Sequence, residues 1–185
     1  MRSEARRQCG FTLGELLATV AVAGIAASLA LPGLNQAIGN QKRTAAIGDF
    51  VTALHLARST AITRSTAVTV CPSTDGHRCD GTDWAAGWIV FEDPDGQLAP
   101  AADHTTLASG EAPAGLSIRS RQFPRFLAYR PNGQAMAETI DRNTGEFVIC
   151  DRESDSTARA LAINAGGKPR LHDRHMDGSP LDCPA

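Results

Sequence analysis

From Leu16 to Leu31 the chain carries no charged residue, and this run of Leu, Val, Ala and Ile, preceded by Arg2, Arg6 and Arg7, reads as an apolar helix. Past Pro32 the pattern changes. Ile47, Phe50, Val51, Leu54, Ala57 and Ala61 recur at three- and four-residue spacing, opposite Lys42, Arg43, Asp49, Thr52 and Arg58, which predicts an amphipathic helix laid on a core. Together the halves predict an element of about 50 residues, on the order of 75 Å long. Pro32 and Gly33 are expected to bend it, because proline deletes a backbone hydrogen bond and its ring crowds the preceding turn.

From Ser65 onward the hydrophobic period falls to that of a strand, and turn residues recur at short intervals. The alternation predicts strands over 67–71, 87–91, 116–120, 126–130, 146–150, 159–163 and 169–172. Asp93-Pro94-Asp95-Gly96, Arg130-Pro131-Asn132-Gly133 and Ala165-Gly166-Gly167 are turn chemistry. Asp93-x-Asp95-Gly96 lacks the later bidentate acid of an EF-hand loop and reads as a turn rather than a calcium site. The predicted fold class is α+β. A long N-terminal α-helix occupies 11–64, membrane-spanning over 11–34 and amphipathic over 35–64, and a C-terminal antiparallel β-sandwich-like head occupies 65–185.

Composition narrows this further. The chain has 185 residues, so it supports one modest globular core beyond the apolar helix. Its formal net charge of −2 advertises no nucleic-acid partner, and any such site must be a local patch. Cys71, Cys79, Cys150 and Cys183 form an even set in the head and point to an oxidising compartment. Sequence alone does not choose among their three pairings. We favour Cys71 with Cys79, closing a short Pro/Gly/Asp-rich loop, and Cys150 with Cys183, pinning the C-terminal tail. A zinc site is the competing reading, but no Cys-x-x-Cys pair and no His at ligand spacing supports it; no metal is expected.

Glu15 stands near the start of the apolar run, where an unpaired carboxylate at membrane depth costs several kcal/mol. Were the chain cut after Gly10, the free amine of Phe11 would lie about one helical turn away. The carboxylate of one subunit could then neutralise the amine of the next.

Gly10 followed by Phe11-Thr12-Leu13-x-Glu15-Leu16 resembles the class III signal of type IV pilins and type II secretion pseudopilins. The resemblance implies a leader, 1–10, removed by a prepilin peptidase after Gly10, with N-methylation of Phe11. Loss of three Arg and one Glu with that leader leaves the mature chain two units more acidic and removes Cys9. Pro32 falls where that superfamily commonly kinks its helix. An ordinary secretory signal ending at Ser28-Leu29-Ala30 is the alternative, but a Glu at the mouth of its apolar region is out of place there.

Val70-Cys71-Pro72-Ser73, Cys79, Trp84-x-x-Gly87-Trp88-Ile89-Val90-Phe91, Tyr129-Arg130-Pro131-Asn132-Gly133 and Phe147-Val148-Ile149-Cys150-Asp151 are similar to the FimT/FimU-type minor pilins and related GspH pseudopilins. Trp84, Trp88 and Phe91 are expected to pack in a core rather than to stack on bases. The resemblance implies a subunit that sits near a pilus tip, helps prime assembly and, in some members, binds DNA for natural transformation through a basic C-terminal loop. Here that loop would be Gly167-Lys168-Pro169-Arg170, with Lys in place of the first Arg of the family pattern, and Arg159, Arg174, His172 and His175 could extend the patch. Asp173 and Asp177 dilute it. A second candidate patch is Arg119, Arg121, Arg125 and Arg130, with no acid between Ala112 and Ala137; it fits a solvated edge strand, a partner pilin or DNA.

The motifs offer no nucleophile elbow, phosphate-cradling loop or metal-ligand helix, so neither a catalytic site nor a cofactor is expected. The expected partners are other major and minor pilins, the prepilin peptidase, the inner membrane and double-stranded DNA. The expected location is a bacterial inner membrane as a single-pass protein, then a pilus filament or the periplasm and cell surface. A type II secretion pseudopilin and a dedicated DNA receptor are the alternatives.

Overall fold

The helix is a single element, α1 (Leu13–Arg64, 52 residues), continuous through Pro32. The computed structural model describes residues 12–98, 100, 106–137, 143–151 and 158–183, the side chains of 26–36 excepted. The chain divides into two compact units, Met1–Asn40 and Gln41–Ala185, so the amphipathic half of α1 from Gln41 onward belongs with the strands.

Both ends of α1 are capped by local chemistry. At the start, the Thr12 amide and hydroxyl each donate to Glu15 Oε2 at 2.9 Å, and the Glu15 amide donates back to Thr12 Oγ1 at 3.3 Å. This is a capping box, which satisfies backbone donors that the first turn leaves unpaired. At the other end Ser65 takes a left-handed conformation (φ 51°), and the Thr66 amide donates to the Ala61 carbonyl at 3.2 Å, closing the helix as a Schellman turn does.

The strands form two antiparallel sheets. One has the order β3-β2-β1-β5-β6, from β1 (Val68–Pro72), β2 (Trp88–Glu92), β3 (Ala108–Gly110), β5 (Leu127–Tyr129) and β6 (Ala135–Met136). The other has the order β4-β7-β8-β9, from β4 (Leu116–Arg119), β7 (Gly145–Asp151), β8 (Arg159–Ile163) and β9 (Pro169–His172). β3 and β6 have no counterpart in the alternation pattern, since strands of three and two residues are too short to display a period.

Phe50, Ala53, Leu54, Ala57 and Ala61 of α1 are buried in the main core, at the spacing that places them on one face. Phe50 meets Trp84, Trp88 and Phe147 with ring centroids 5.8, 5.9 and 5.2 Å away, so one helical side chain touches a loop and both sheets. The Trp84 indole N–H donates to the Phe123 carbonyl at 2.9 Å, giving this fully buried ring its polar partner. On the opposite face of the five-stranded sheet, Cys71, Ile89 and Phe91 form a second small core. The Cys71–Cys79 disulfide closes the loop beside it.

Candidate functional site

The first candidate region lies at the start of α1. Gly10 and Phe11 fall outside the described residues, as does the side chain of Pro32. Residues 12–25 are all exposed, including Leu13, Leu16, Leu17, Val20, Val22 and Ile25. Apolar surface on every side of a helix calls for a surrounding apolar partner. Among the described residues no helix is long and apolar enough to cross a membrane; the span expected over 11–34 includes positions outside that set. The local bonds from Thr12 also occupy Glu15, and the sequence Thr12-x-x-Glu15 is itself the signal for that cap.

The second candidate region is the outer face of the four-stranded sheet. Strand register sets Arg119, Val148, Ala160 and His172 in one cross-strand row, and Glu146, Ala162 and Arg170 in another. Paired residues share a face, so the β4 cations and the β9 cations flank the same surface, with edge strands about 14 Å apart at the usual strand spacing. The C-terminal tail is anchored to this surface. Its residues 175–178 make a tight turn, with the Gly178 amide donating to the His175 carbonyl at 2.9 Å. His175 Nδ1 lies 2.5 Å from Glu146 Oε1, the Met176 amide donates to Glu146 Oε2 at 2.9 Å, and the Cys150–Cys183 disulfide ties the end of the tail to β7. The hydrogen bond to Glu146 raises the His175 pKa above the ordinary imidazole value, with partial burial working the other way.

Four of the residues expected in the basic C-terminal patch have different circumstances. Lys168 and Arg170 are exposed. Arg159 is ion-paired with Asp173, and Arg174 Nη1 donates to the Gly178 carbonyl at 3.3 Å, so both are partly occupied within the tail region. The turn carrying Lys168 is held by Gly167, at φ +73°, where a Cβ would lie 2.1 Å from the Gly133 carbonyl oxygen. Arg58 stitches the same two turns together, its Nε donating to the Gly133 and Gly166 carbonyls at 3.1 and 3.0 Å. Sequence reading had no signal for this role, since the partners lie 75 and 108 positions away.

The structure does not keep Arg119, Arg121, Arg125 and Arg130 as one patch. Arg119 and Arg121 line the outer cleft of the four-stranded sheet. Arg125 lines a small hollow with Cys79, Asp80 and Phe126. Arg130 follows β5 of the other sheet, where the turn to Gly133 meets the Gly167 turn. The segment after β4 crosses from one sheet to the other, which separates cations that are close in sequence. The turn that follows Arg130 meets the turn that precedes Lys168, while the Arg130 guanidinium itself donates to Met136 Sδ at 3.6 Å.

Type II transport protein GspH is the family that matches residues 46–167. Two crystal structures of the type IV minor pilin FimU from Pseudomonas aeruginosa share the fold. The form in space group P65 is 20% identical, covering 70% of this chain and 91% of that chain with a TM-score of 0.51. The form in space group P21 is 19% identical, covering 72% and 90% with a TM-score of 0.53. Among curated proteins, none matches the chain significantly by sequence.

Proposed function

The chain belongs to the GspH family of minor pilins and pseudopilins, and from that premise we propose that it is a FimT/FimU-type subunit helping to prime a type IV pilus near its tip. The observation that carries this reading is the family match over residues 46–167, joined to an exposed apolar helix that begins at Leu13. Prepilin cleavage after Gly10 and methylation of Phe11 supply the amine that Glu15 answers in the neighbouring subunit. The apolar half of α1 stores the subunit in the inner membrane and then packs among pilin helices. Glu15 exchanges its local bonds from Thr12 for that amine when it enters a filament, a trade made in a medium where an unpaired charge is costly.

The test is made in cells lacking the chromosomal copy. Glu15→Leu should be inserted and cleaved, since an apolar residue suits a membrane, yet should be depleted at least tenfold from sheared filaments. Mass spectrometry should find N-methylated Phe11 at the mature start. A mature start at Leu31, or normal filament entry by Glu15→Leu, would overturn the proposed processing or the role of the carboxylate, respectively.

Double-stranded DNA is the second reading. The exposure of Lys168 and Arg170, on a turn that Arg58 holds through the Gly166 carbonyl, supports a small non-specific phosphate site.

A further inference from the structure

Asp49, Thr52, Ala53 and Leu56 recur along α1 at three- and four-residue spacing and so share one side of the helix. With them, Ala108, Ser109 and Gly110 of β3, and Glu111 just after it, line a cleft of about 260 Å³ that Trp88 also walls. A space of this size takes one long side chain rather than a helix or a strand. Gly110 and Trp88 are register partners, and a Cβ on Gly110 would lie 2.4 Å from Trp88 Cζ2, so the missing side chain is what lets the indole lie against β3. Phe50 packs on the same ring at a centroid distance of 5.9 Å, which fixes the wall from the core.

Three polar groups of this cleft lack partners. Asp49 and Glu111 are exposed, and neither has an ion pair or a side-chain hydrogen bond among the described residues. No lysine or arginine lines the cleft beside them, so its charge is negative. The third group is the Trp88 indole N–H. Trp88 is only 5% exposed, and whereas the Trp84 N–H donates to the Phe123 carbonyl, that of Trp88 has no acceptor among the described residues and yet is not sealed from solvent. A nearly buried donor without an acceptor is costly, and an incoming carbonyl relieves it. The occupant that suits these walls carries a cation for two carboxylates, an apolar stem for Ala53 and the half-exposed Leu56, and a carbonyl for the indole. An arginine within a peptide chain supplies all three, and its planar fork of donors engages two carboxylates where a lysine ammonium is a compact point charge.

We propose that this cleft receives an arginine side chain from a neighbouring pilin subunit, with the guanidinium on Asp49 and Glu111 and a carbonyl beside it accepting from the Trp88 N–H. The proposal rests on the pilin reading above, because α1 carries both the cleft and the exposed apolar half which that reading packs among other subunits. Charge-assisted hydrogen bonds to the two acids provide the selectivity, and burial of the arginine stem on Leu56 adds affinity.

The full chain in detergent micelles is titrated, by fluorescence anisotropy at low salt, into labelled peptides Ala-Val-X-Val-Ala blocked at both ends, where X is arginine, lysine or citrulline, the uncharged isostere of arginine. The arginine peptide is expected to bind about tenfold more tightly than the citrulline peptide, with lysine between them. Asp49→Asn/Glu111→Gln should abolish that difference. Asp95→Asn/Asp182→Asn, the same loss of charge at the turn after β2 and in the tail, should leave it intact. Trp88→Phe, which keeps an aromatic ring but removes the N–H, should weaken the arginine and citrulline peptides alike. Equal binding of arginine and citrulline by the wild-type chain overturns the proposal, as does failure to bind either. An equal loss in the Asp95/Asp182 variant reduces the effect to general charge attraction and overturns it too. A parallel arm counts the chain in sheared filaments, where the Asp49/Glu111 variant should be depleted. Wild type and that variant present at equal levels overturns only the arginine docking; wild type absent from filaments removes the pilin reading itself, and with it the neighbouring subunit as the occupant.

Discussion

Gly167 illustrates how much a single position can constrain. Its φ of +73° lies where side-chain-bearing residues are strained, and a Cβ there would meet the Gly133 carbonyl oxygen at 2.1 Å, a backbone atom with little room to retreat. Gly167→Ala is expected to cost about 2–4 kcal/mol, combining backbone strain with displacement of the turn. A urea midpoint within error of wild type would refute it. His175 makes a pH-dependent prediction. Its pKa is raised in the folded chain, chiefly by the Glu146 hydrogen bond, above the unfolded value of about 6.5. The stability contributed by this pair is therefore fully present below the unfolded pKa and is lost as pH rises through the folded one. Melting temperature should fall more steeply between about pH 6 and 8 in wild type than in His175→Gln. Superimposable pH profiles would show that the pair contributes nothing. Arg58 belongs to the same scale: one guanidinium on the helix fixes two turns by donating to their carbonyls.

At the scale of elements, the two disulfides staple different things. Cys71–Cys79 spans a separation of 8 and closes a loop beside the small second core, whereas Cys150–Cys183 spans 33 and holds the tail against β7. Chain entropy makes the longer loop worth about 1 kcal/mol more, within a typical range of about 2–4 kcal/mol for each. Cys183→Ser should therefore lower the denaturant midpoint more than Cys79→Ser does, and should also expose residues 174–183 to proteolysis. The reverse order of midpoints would mean that packing around the short loop outweighs loop entropy. The amphipathic half of α1 was legible because burial of Phe50, Leu54, Ala57 and Ala61 follows from helical spacing alone. Among the longer strands β4 and β7 alternate in burial as period two requires, whereas β1, β2, β5 and β8 are buried at nearly every position and were legible as short apolar runs bounded by turns. β3 and β6 were not, because each is a short stretch recruited by a neighbouring strand rather than by its own pattern.

At the scale of the whole molecule, charge is distributed by topology. If Lys168 and Arg170 contact phosphates, replacing both with Gln should weaken DNA binding similarly for unrelated duplexes and flatten the slope of log affinity against log salt by about two. Unchanged retardation by the full chain carrying both substitutions would remove this loop from the account. Local physics alone determined the long helix, the Thr12–Glu15 cap, the alternating strands, the turn chemistry and the family resemblance, since each depends on residues a few positions apart. The tertiary structure alone decided which cations share a surface. Arg119 and Arg130 are close in the chain but fall on different sheets, whereas Arg119 and His172 are far apart yet occupy one cross-strand row. It also decided that Arg58 would serve two distant turns and that β4 would be an edge strand of its sheet. Strand order is set by non-local pairing and by the packing of two sheets on one helix, and no periodicity along the chain encodes which strand lies beside which.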